Sequence, residues 1–124
     1  MILPALKRGG YAFQTQVKIG TRPNGRTHRV DAVAEKDGAR ILVSSKWQQT
    51  GGTTEQKIPF EVICLKEEVA GGEFQKAYIV LGGDGWTLRD YYVSGGLEAH
   101  VLGANKVRIV TLERFIALAN QGKL

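Results

Sequence analysis

The 124-residue chain contains one cysteine, two histidines and no long apolar run. A single cysteine excludes a disulfide framework and fits a reducing compartment. His28 and His100 lie far apart in the sequence, and with Cys64 alone they form no zinc-binding pattern. No segment has the length of a membrane span, and the apolar start of the chain is too short for a signal-peptide core. We therefore predict a cytoplasmic protein with no membrane partner.

Acidic residues are missing from the first quarter of the chain. No Asp or Glu precedes Asp31, while six Lys and Arg residues do, and the formal net charge is +5. A basic balance favours a polyanionic partner, nucleic acid first. This stretch fits either a solvated face or an arm that lies along phosphates. If it is such an arm, the residues that we expect to contact nucleic acid are Arg22, Arg26, His28 and Arg29, together with Lys57 further along the chain.

The length and composition are those of one soluble globular domain, residues 1–124. The patterns predict a short helix at 3–10, strands at 11–19, 27–35 and 39–48, and a helix after residue 53. A strand at 77–81, a broken helix at 87–102, a strand at 107–110 and a helix capped by Thr111 follow. Hairpins come first and strand–helix alternation later. This order predicts an α/β domain with a mixed central β-sheet flanked by helices.

The alternation of side chains assigns strand faces. Phe13, Thr15, Val17 and Ile19 are predicted to share one face of the first strand. The third strand places Ile41, Val43, Ser45 and Trp47 on one face and Leu42, Ser44, Lys46 and Gln48 on the other.

The turn at residues 36–38 fixes which residues face each other across the second and third strands. In an antiparallel pair that register brings Asp31 close to Ser44, so that Lys46 becomes a diagonal neighbour of Asp31. A surface ion pair of little energetic value fits these two residues as well. The glycine-punctuated polar segment that follows, with Gln48, Glu55 and Lys57, favours a functional site instead.

The segment Val30-Asp31 together with Val43-Ser44-Ser45-Lys46-Trp47-Gln48 resembles the PD-(D/E)XK nuclease superfamily. Its signature is an acidic residue on one strand and an acid-x-Lys triplet on the next, followed by a helix and a strand. Asp31 matches the first acid, and Ser44-Ser45-Lys46 matches the triplet. The order of elements over residues 1–82 also resembles the core of this superfamily. The resemblance implies a restriction-endonuclease-like core.

The sequence departs from this signature at Ser44, which stands in the acidic position of the triplet. In some restriction enzymes of the superfamily a glutamate on the following helix supplies the missing carboxylate. Glu55 and Glu61 are the candidates. We favour Glu55, because it lies in the first helical turn close to the end of the Lys46 strand. We expect Glu61, further along the helix, to face solvent.

The resemblance implies an endodeoxyribonuclease that depends on Mg²⁺ or Mn²⁺. Asp31, Glu55 and the carbonyl of Ser45 would hold the metal. Lys46 would orient or deprotonate the attacking water, or hold the phosphate, and Gln48 would bind a phosphate. The predicted catalytic set is Asp31, Ser44, Lys46, Gln48 and Glu55.

Three functions stay open at this point. They are an endonuclease of the restriction, repair or homing type, a structure-selective junction resolvase, and a nucleic-acid-binding module without catalysis. We expect a homodimer, since one small domain covers little of a duplex and cutting both strands takes two sites or two visits. The residues do not reveal the DNA sequence preferred or the biological role.

Overall fold

The computed structural model describes residues 1–49 and 54–124. The α-helices are α1 (Ile2–Arg8), α2 (Ile58–Ala70), α3 (Arg89–Val93) and α4 (Leu112–Asn120). The strands are β1 (Ala12–Thr21), β2 (Thr27–Lys36), β3 (Ala39–Trp47), β4 (Lys76–Gly82) and β5 (Val107–Thr111). Short 3₁₀ turns cover Thr54–Lys57, Gly96–Ala99 and Ala104–Lys106. The predicted order of elements is confirmed, including the broken helix after β4.

The strands form one mixed sheet in the order β1-β2-β3-β4-β5. The pairs β1–β2 and β2–β3 are antiparallel, whereas β3–β4 and β4–β5 are parallel. Asp37 and Gly38 both have positive φ, 54° and 82°, which suits the two-residue turn of a tight hairpin. Ala32 lies opposite Val43, which is the register that the turn predicted.

Helices cover both faces of this sheet, so the chain builds two cores. On one face α2 packs Ile58, Val62 and Leu65 against Leu42 and Ile79. On the other face α1 and α4 pack against the sheet through residues that include Leu6, Val43, Tyr78, Phe115 and Ala119. The α/β architecture with a mixed central sheet flanked by helices is therefore confirmed.

A bend in β1 overturns one prediction. Phe13 packs in the core under α1 and α4, whereas Val17 and Ile19 pack in the core under α2, so they do not share one face. Gln16 has φ of 51°, a left-handed conformation that is unfavourable for a residue with a side chain. The strand changes faces at this residue. Strict alternation assumed an undistorted strand and missed the bend.

Where the described chain resumes at Thr54 it forms a 3₁₀ turn, and α2 then starts with Pro59 in its first turn. Proline fits this position, since its missing N–H has no partner to lose in a first turn. The sequence also favours a break at Thr50-Gly51-Gly52 and a capping box of Thr53 with Gln56. Residues 50–53 lie outside those described. At the last helix, Thr111 accepts a hydrogen bond from the backbone N–H of Arg114 at 3.2 Å, as its predicted cap requires.

Candidate active site

The first part of the candidate site is the place where β2 leaves β3. The paired residues of these strands run from Lys36–Ala39 to Ala32–Val43. Beyond that pair a side chain replaces the backbone partner. Asp31 Oδ2 accepts a hydrogen bond from the backbone N–H of Ser45 at 2.6 Å. In an antiparallel ladder the N–H and C=O of one residue point the same way. The carbonyl of Ser45 therefore faces the side on which Asp31 lies.

The bend at Gln16 explains this arrangement. Thr15 pairs with Ala32 and Val17 pairs with Val30, so the bent residue lies opposite Asp31. Val30 belongs to the core under α2, whereas Ala32 belongs to the core under α1 and α4. Both strands thus change faces at the same level, and Asp31 lies at the point of change.

Asp31 lines an open cleft of about 460 Å³ beside α1. Its walls are partly apolar, and Ser45 and Asp31 contribute polar atoms to it. The remaining wall residues are Met1, Ile2, Leu3, Thr15, Gln16, Ala32, Val43 and Leu112.

The second part of the candidate site is a cluster around Glu61, on the α2 side of the sheet. Lys46 Nζ lies 3.1 Å from Glu61 Oε2, and His28 Nε2 lies 2.8 Å from Glu61 Oε1. Arg22 adds a third contact, at 3.4 Å from Glu61 Oε2. Since an ionised carboxylate only accepts hydrogen bonds, all three side chains donate to it.

Glu61 is 4% exposed, so the expectation that it faces solvent is wrong. The reason is its place on the helix. Glu61 lies three residues after Ile58 and four before Leu65, spacings that share one helix face, and both of those residues are fully buried. The apolar stripe of α2 was therefore a signal for the inward position of Glu61, although it could not show what the carboxylate would meet.

The charges around Glu61 keep it ionised. Burial alone would raise the pKa of this carboxyl group, but the hydrogen bond from His28 and the positive charges of Lys46 and Arg22 outweigh burial and lower the pKa to about 2. Removing one partner from such a buried network leaves uncompensated charge, which is strongly destabilising.

Among the described residues no ion pair joins Asp31 to Lys46, its predicted diagonal neighbour. Within residues 1–49 and 54–124, Lys46 makes its ion pair with Glu61, and Asp31 takes part in none. The bend at Asp31 is the physical reason, because the register argument assumed a regular strand. Ser44 lies two residues before Lys46 on β3, between β2 and β4, and it is 2% exposed.

His28 is fully buried against Glu61, so the prediction that it contacts DNA is wrong. Val30 is two positions further along β2, so it shares a strand face with His28, and it is buried in the core under α2. Arg22 is mostly covered and paired with Glu61. Arg26, Arg29 and Lys57 are exposed, as phosphate contacts require.

Glu55 and Gln48 belong to a separate network near the start of α3. The Glu55 carboxylate accepts hydrogen bonds from the Thr87 hydroxyl at 2.6 Å and from the backbone N–H groups of Thr87 and Leu88. These bonds, the Thr87 hydroxyl first, lower the pKa of Glu55. Gln48 donates to the carbonyl of Gly85 at 2.8 Å and accepts from the Glu55 N–H at 3.2 Å.

This network changes the interpretation of two predicted site residues. The amide of Gln48 is 5% exposed and uses both its oxygen and its nitrogen within the protein, so the predicted phosphate contact is wrong. Glu55 joins the end of β3 to the loop after β4, and its carboxylate lies against Thr87 rather than Asp31. Sequence reasoning favoured the wrong glutamate as the neighbour of Lys46, because closeness along the chain did not predict which loop would cover Glu55.

The residues around Asp31 fit part of a divalent metal site. Among the described residues, no three or more His, Cys, Asp and Glu side chains gather into a metal-binding group. Mg²⁺ nevertheless binds through one or two carboxylates and keeps several waters. The carboxylate of Asp31 and the carbonyl of Ser45 are oxygen donors of that kind on one side of β3.

Comparison with known proteins identifies the family. The model of a family described as a PD-(D/E)XK nuclease superfamily domain matches residues 2–123. Nucleases of this superfamily generally use divalent metal ions. No curated protein matches the chain.

A solved structure with a similar fold is among the matches. It is the crystal structure of AF1548, titled a protein of unknown function, with a TM-score of 0.57 and 18% sequence identity. The match covers 90% of this chain and 54% of that one, so the chain spans about half the length of AF1548.

No helix within the described ranges is long and apolar enough to cross a membrane.

Proposed function

This chain belongs to the PD-(D/E)XK nuclease superfamily, and from that premise we propose that it is a metal-dependent endonuclease that hydrolyses the phosphodiester bonds of DNA. The observation that carries the proposal is the contact of Asp31 with Ser45 N at 2.6 Å, one residue from the Lys46–Glu61 ion pair. Asp31 thus contacts Ser45, the residue directly before Lys46, near the end of β3. The net charge of +5 supports a polyanionic substrate.

In this proposal Asp31 and the carbonyl of Ser45 would hold a Mg²⁺ or Mn²⁺ ion. When bound, such an ion lowers the pKa of its water and neutralises charge on the phosphoryl oxygens. Asp31 suits this role because its second oxygen, Oδ1, is not the atom that accepts from Ser45. The partly open cleft beside α1 gives a phosphate access to the carboxylate.

Lys46 is the proposed positive group that orients the attacking water or holds the phosphate. Its side chain is 27% exposed, so it reaches solvent while Glu61 anchors it. We assign the second carboxylate of the site to Glu61 in place of Glu55. The support is the 3.1 Å contact with Lys46, whereas Glu55 contacts Thr87 and Leu88.

The proposal is tested by cleavage of plasmid and linear DNA with Mg²⁺, with Mn²⁺ and with excess chelator. Asp31→Asn keeps an oxygen that accepts from Ser45 but loses the charge, so we expect a folded protein whose cleavage falls by at least about 100-fold. Lys46→Ala is expected to lose a similar factor. The double variant should be no worse than either single variant, because residues that act as a unit fail together.

The matched control is Asp37→Asn, an exposed acid in the hairpin turn, where Asn also tolerates a positive φ. It should cut DNA as the native protein does. Full cleavage in excess chelator, or normal cleavage by Asp31→Asn, would exclude this mechanism.

Assembly and location complete the proposal. We propose a twofold homodimer, because two Asp31 clefts are then available for the two strands of a duplex. Light scattering at the concentration of the cleavage assay measures the oligomeric state, and a monomer that makes concerted double-strand breaks contradicts the proposed dimer.

A cytoplasmic location stays a prediction, which fractionation of cells that make the full protein would test.

A further inference from the structure

Trp47, the last residue of β3, is exposed directly beside the candidate site. It follows Lys46 in the chain, and 61% of it is accessible to solvent. A large indole in water forgoes the stabilisation that burial of its apolar surface would give. The second tryptophan, Trp86, is by contrast 8% exposed and its Nε1 donates to the carbonyl of Gly82.

The ring of Trp47 is held against the end of β4. Gly82 is its partner in the sheet, and a Cβ added to Gly82 would clash with Trp47 Cε3. The indole therefore rests on a backbone that carries no side chain. The carbonyl of Gly82 is itself fixed by hydrogen bonds from Trp86 Nε1 at 2.7 Å and from Gln48 N at 3.0 Å. A ring seated on a fixed strand end is a preformed flat surface.

The position of Trp47 relates this surface to the cleft. Trp47 lies two residues after Ser45, and alternate residues of a strand share one face at about 6.6 Å spacing. Ser45 is the residue that contacts Asp31. Successive bases of a DNA strand rise by about 3.4 Å. A phosphate beside Asp31 would therefore place a base of the same or the next nucleotide within reach of the indole.

We propose that Trp47 is a stacking platform for a nucleobase next to the scissile phosphate, and that the chain prefers DNA in which such a base is unpaired. This inference rests on the proposed nuclease function and deepens it. Every base has a π-face that stacks on an aromatic side chain without regard to sequence. In an intact duplex neighbouring base pairs cover both faces, so single strands, junctions and distorted sites expose the group that fits.

The test uses the full chain with Asp31→Asn, so that binding is measured without cutting. Fluorescence of the two tryptophans is followed while a single-stranded oligonucleotide or a fully paired duplex is added. We expect the single strand to quench the emission, and Trp47→Phe to abolish that quenching, since Trp86 is buried. We expect Trp47→Leu to weaken single-strand binding by about tenfold and duplex binding much less.

Leu102→Ala is the matched control, because Leu102 is 92% exposed and truncating it also removes exposed apolar surface. It should leave both affinities unchanged, and circular dichroism should show every variant folded. Unaltered single-strand affinity in folded Trp47→Leu would overturn the inference, and so would equal weakening for both DNAs. A change of emission with protein concentration in the absence of DNA would mean that a second copy covers Trp47, and would overturn it too. Loss of all DNA binding by the Asp31→Asn parent would count against the nuclease proposal instead.

Discussion

Glu55 and Glu61 lie six residues apart, and both are buried, yet the structure surrounds them differently. Neutral donors surround Glu55, namely the Thr87 hydroxyl and backbone N–H groups before α3. Cationic side chains surround Glu61, with Lys46 and Arg22 in ion pairs and His28 in a hydrogen bond. Both carboxyl groups have a lowered pKa, for different physical reasons.

The difference teaches that burial and a lowered pKa do not by themselves identify a functional carboxylate. The acceptor capacity of Glu55 is used by hydrogen bonds from the loop before α3, and on this basis we propose a structural role for it. The cations around Glu61 include Lys46, a side chain that also reaches solvent at a strand end. Clustered titratable groups of this kind are typical of functional sites, although structural ion networks also produce them.

The largest expected effect separates the two glutamates by activity. Glu61→Gln keeps the shape of the side chain but removes the charge that anchors Lys46, so we expect DNA cleavage to fall by about 100-fold or more. Glu55→Gln should change cleavage by less than about fivefold, since its carboxylate contacts neither Lys46 nor Asp31. Single-turnover cleavage with Mn²⁺, below the melting temperature of both variants, measures this. An inactive Glu55→Gln beside an active Glu61→Gln would return the role to Glu55.

The next effect concerns acid stability. The pKa of Glu61 is lowered from 4.5 to about 2, so its contribution to the free energy of unfolding is present above about pH 4.5 and is lost as the pH falls towards 2. We expect that contribution to be about 3 kcal/mol. Glu61→Gln should therefore be less stable than the native protein at pH 6, with the gap closing as the pH falls towards 2.

Urea unfolding of both proteins at several pH values measures this gap. The difference between the two proteins is the quantity to compare, because other carboxyl groups titrate in both. A gap that stays constant from pH 6 to pH 2.5 would show that Glu61 is not held ionised by its neighbours.

The smallest effect extends the comparison to DNA binding. Arg22 is paired with Glu61, whereas Arg26 and Arg29 are exposed. Replacing Arg26 or Arg29 with Gln should lower the slope of log K against log salt by about one unit each, because one phosphate contact is lost. Arg22→Gln should change the slope by less than about half a unit. Equal losses at all three arginines would mean that Arg22 leaves Glu61 to bind phosphate.

Local chemistry determined much of this molecule in advance. The order of helices and strands, the hairpin at Asp37-Gly38 with its register, and the Thr111 cap follow from short patterns and from the φ values that those residues accept. The motif with Asp31 and Lys46 was enough to predict the superfamily, which the family model confirms. Such features are decided within a few residues, and the sequence displays them directly.

Tertiary structure decided the partners of the site residues. Periodicity turned Glu61 inward, but the packing of α2 on the sheet brought it to His28 and Lys46. The bend at Gln16 and Asp31, which no pattern marked, directed Asp31 to Ser45. The physical reason is that period and propensity fix the face of an element and its local conformation. Which charge neutralises a buried carboxylate depends on contacts between residues far apart in the chain.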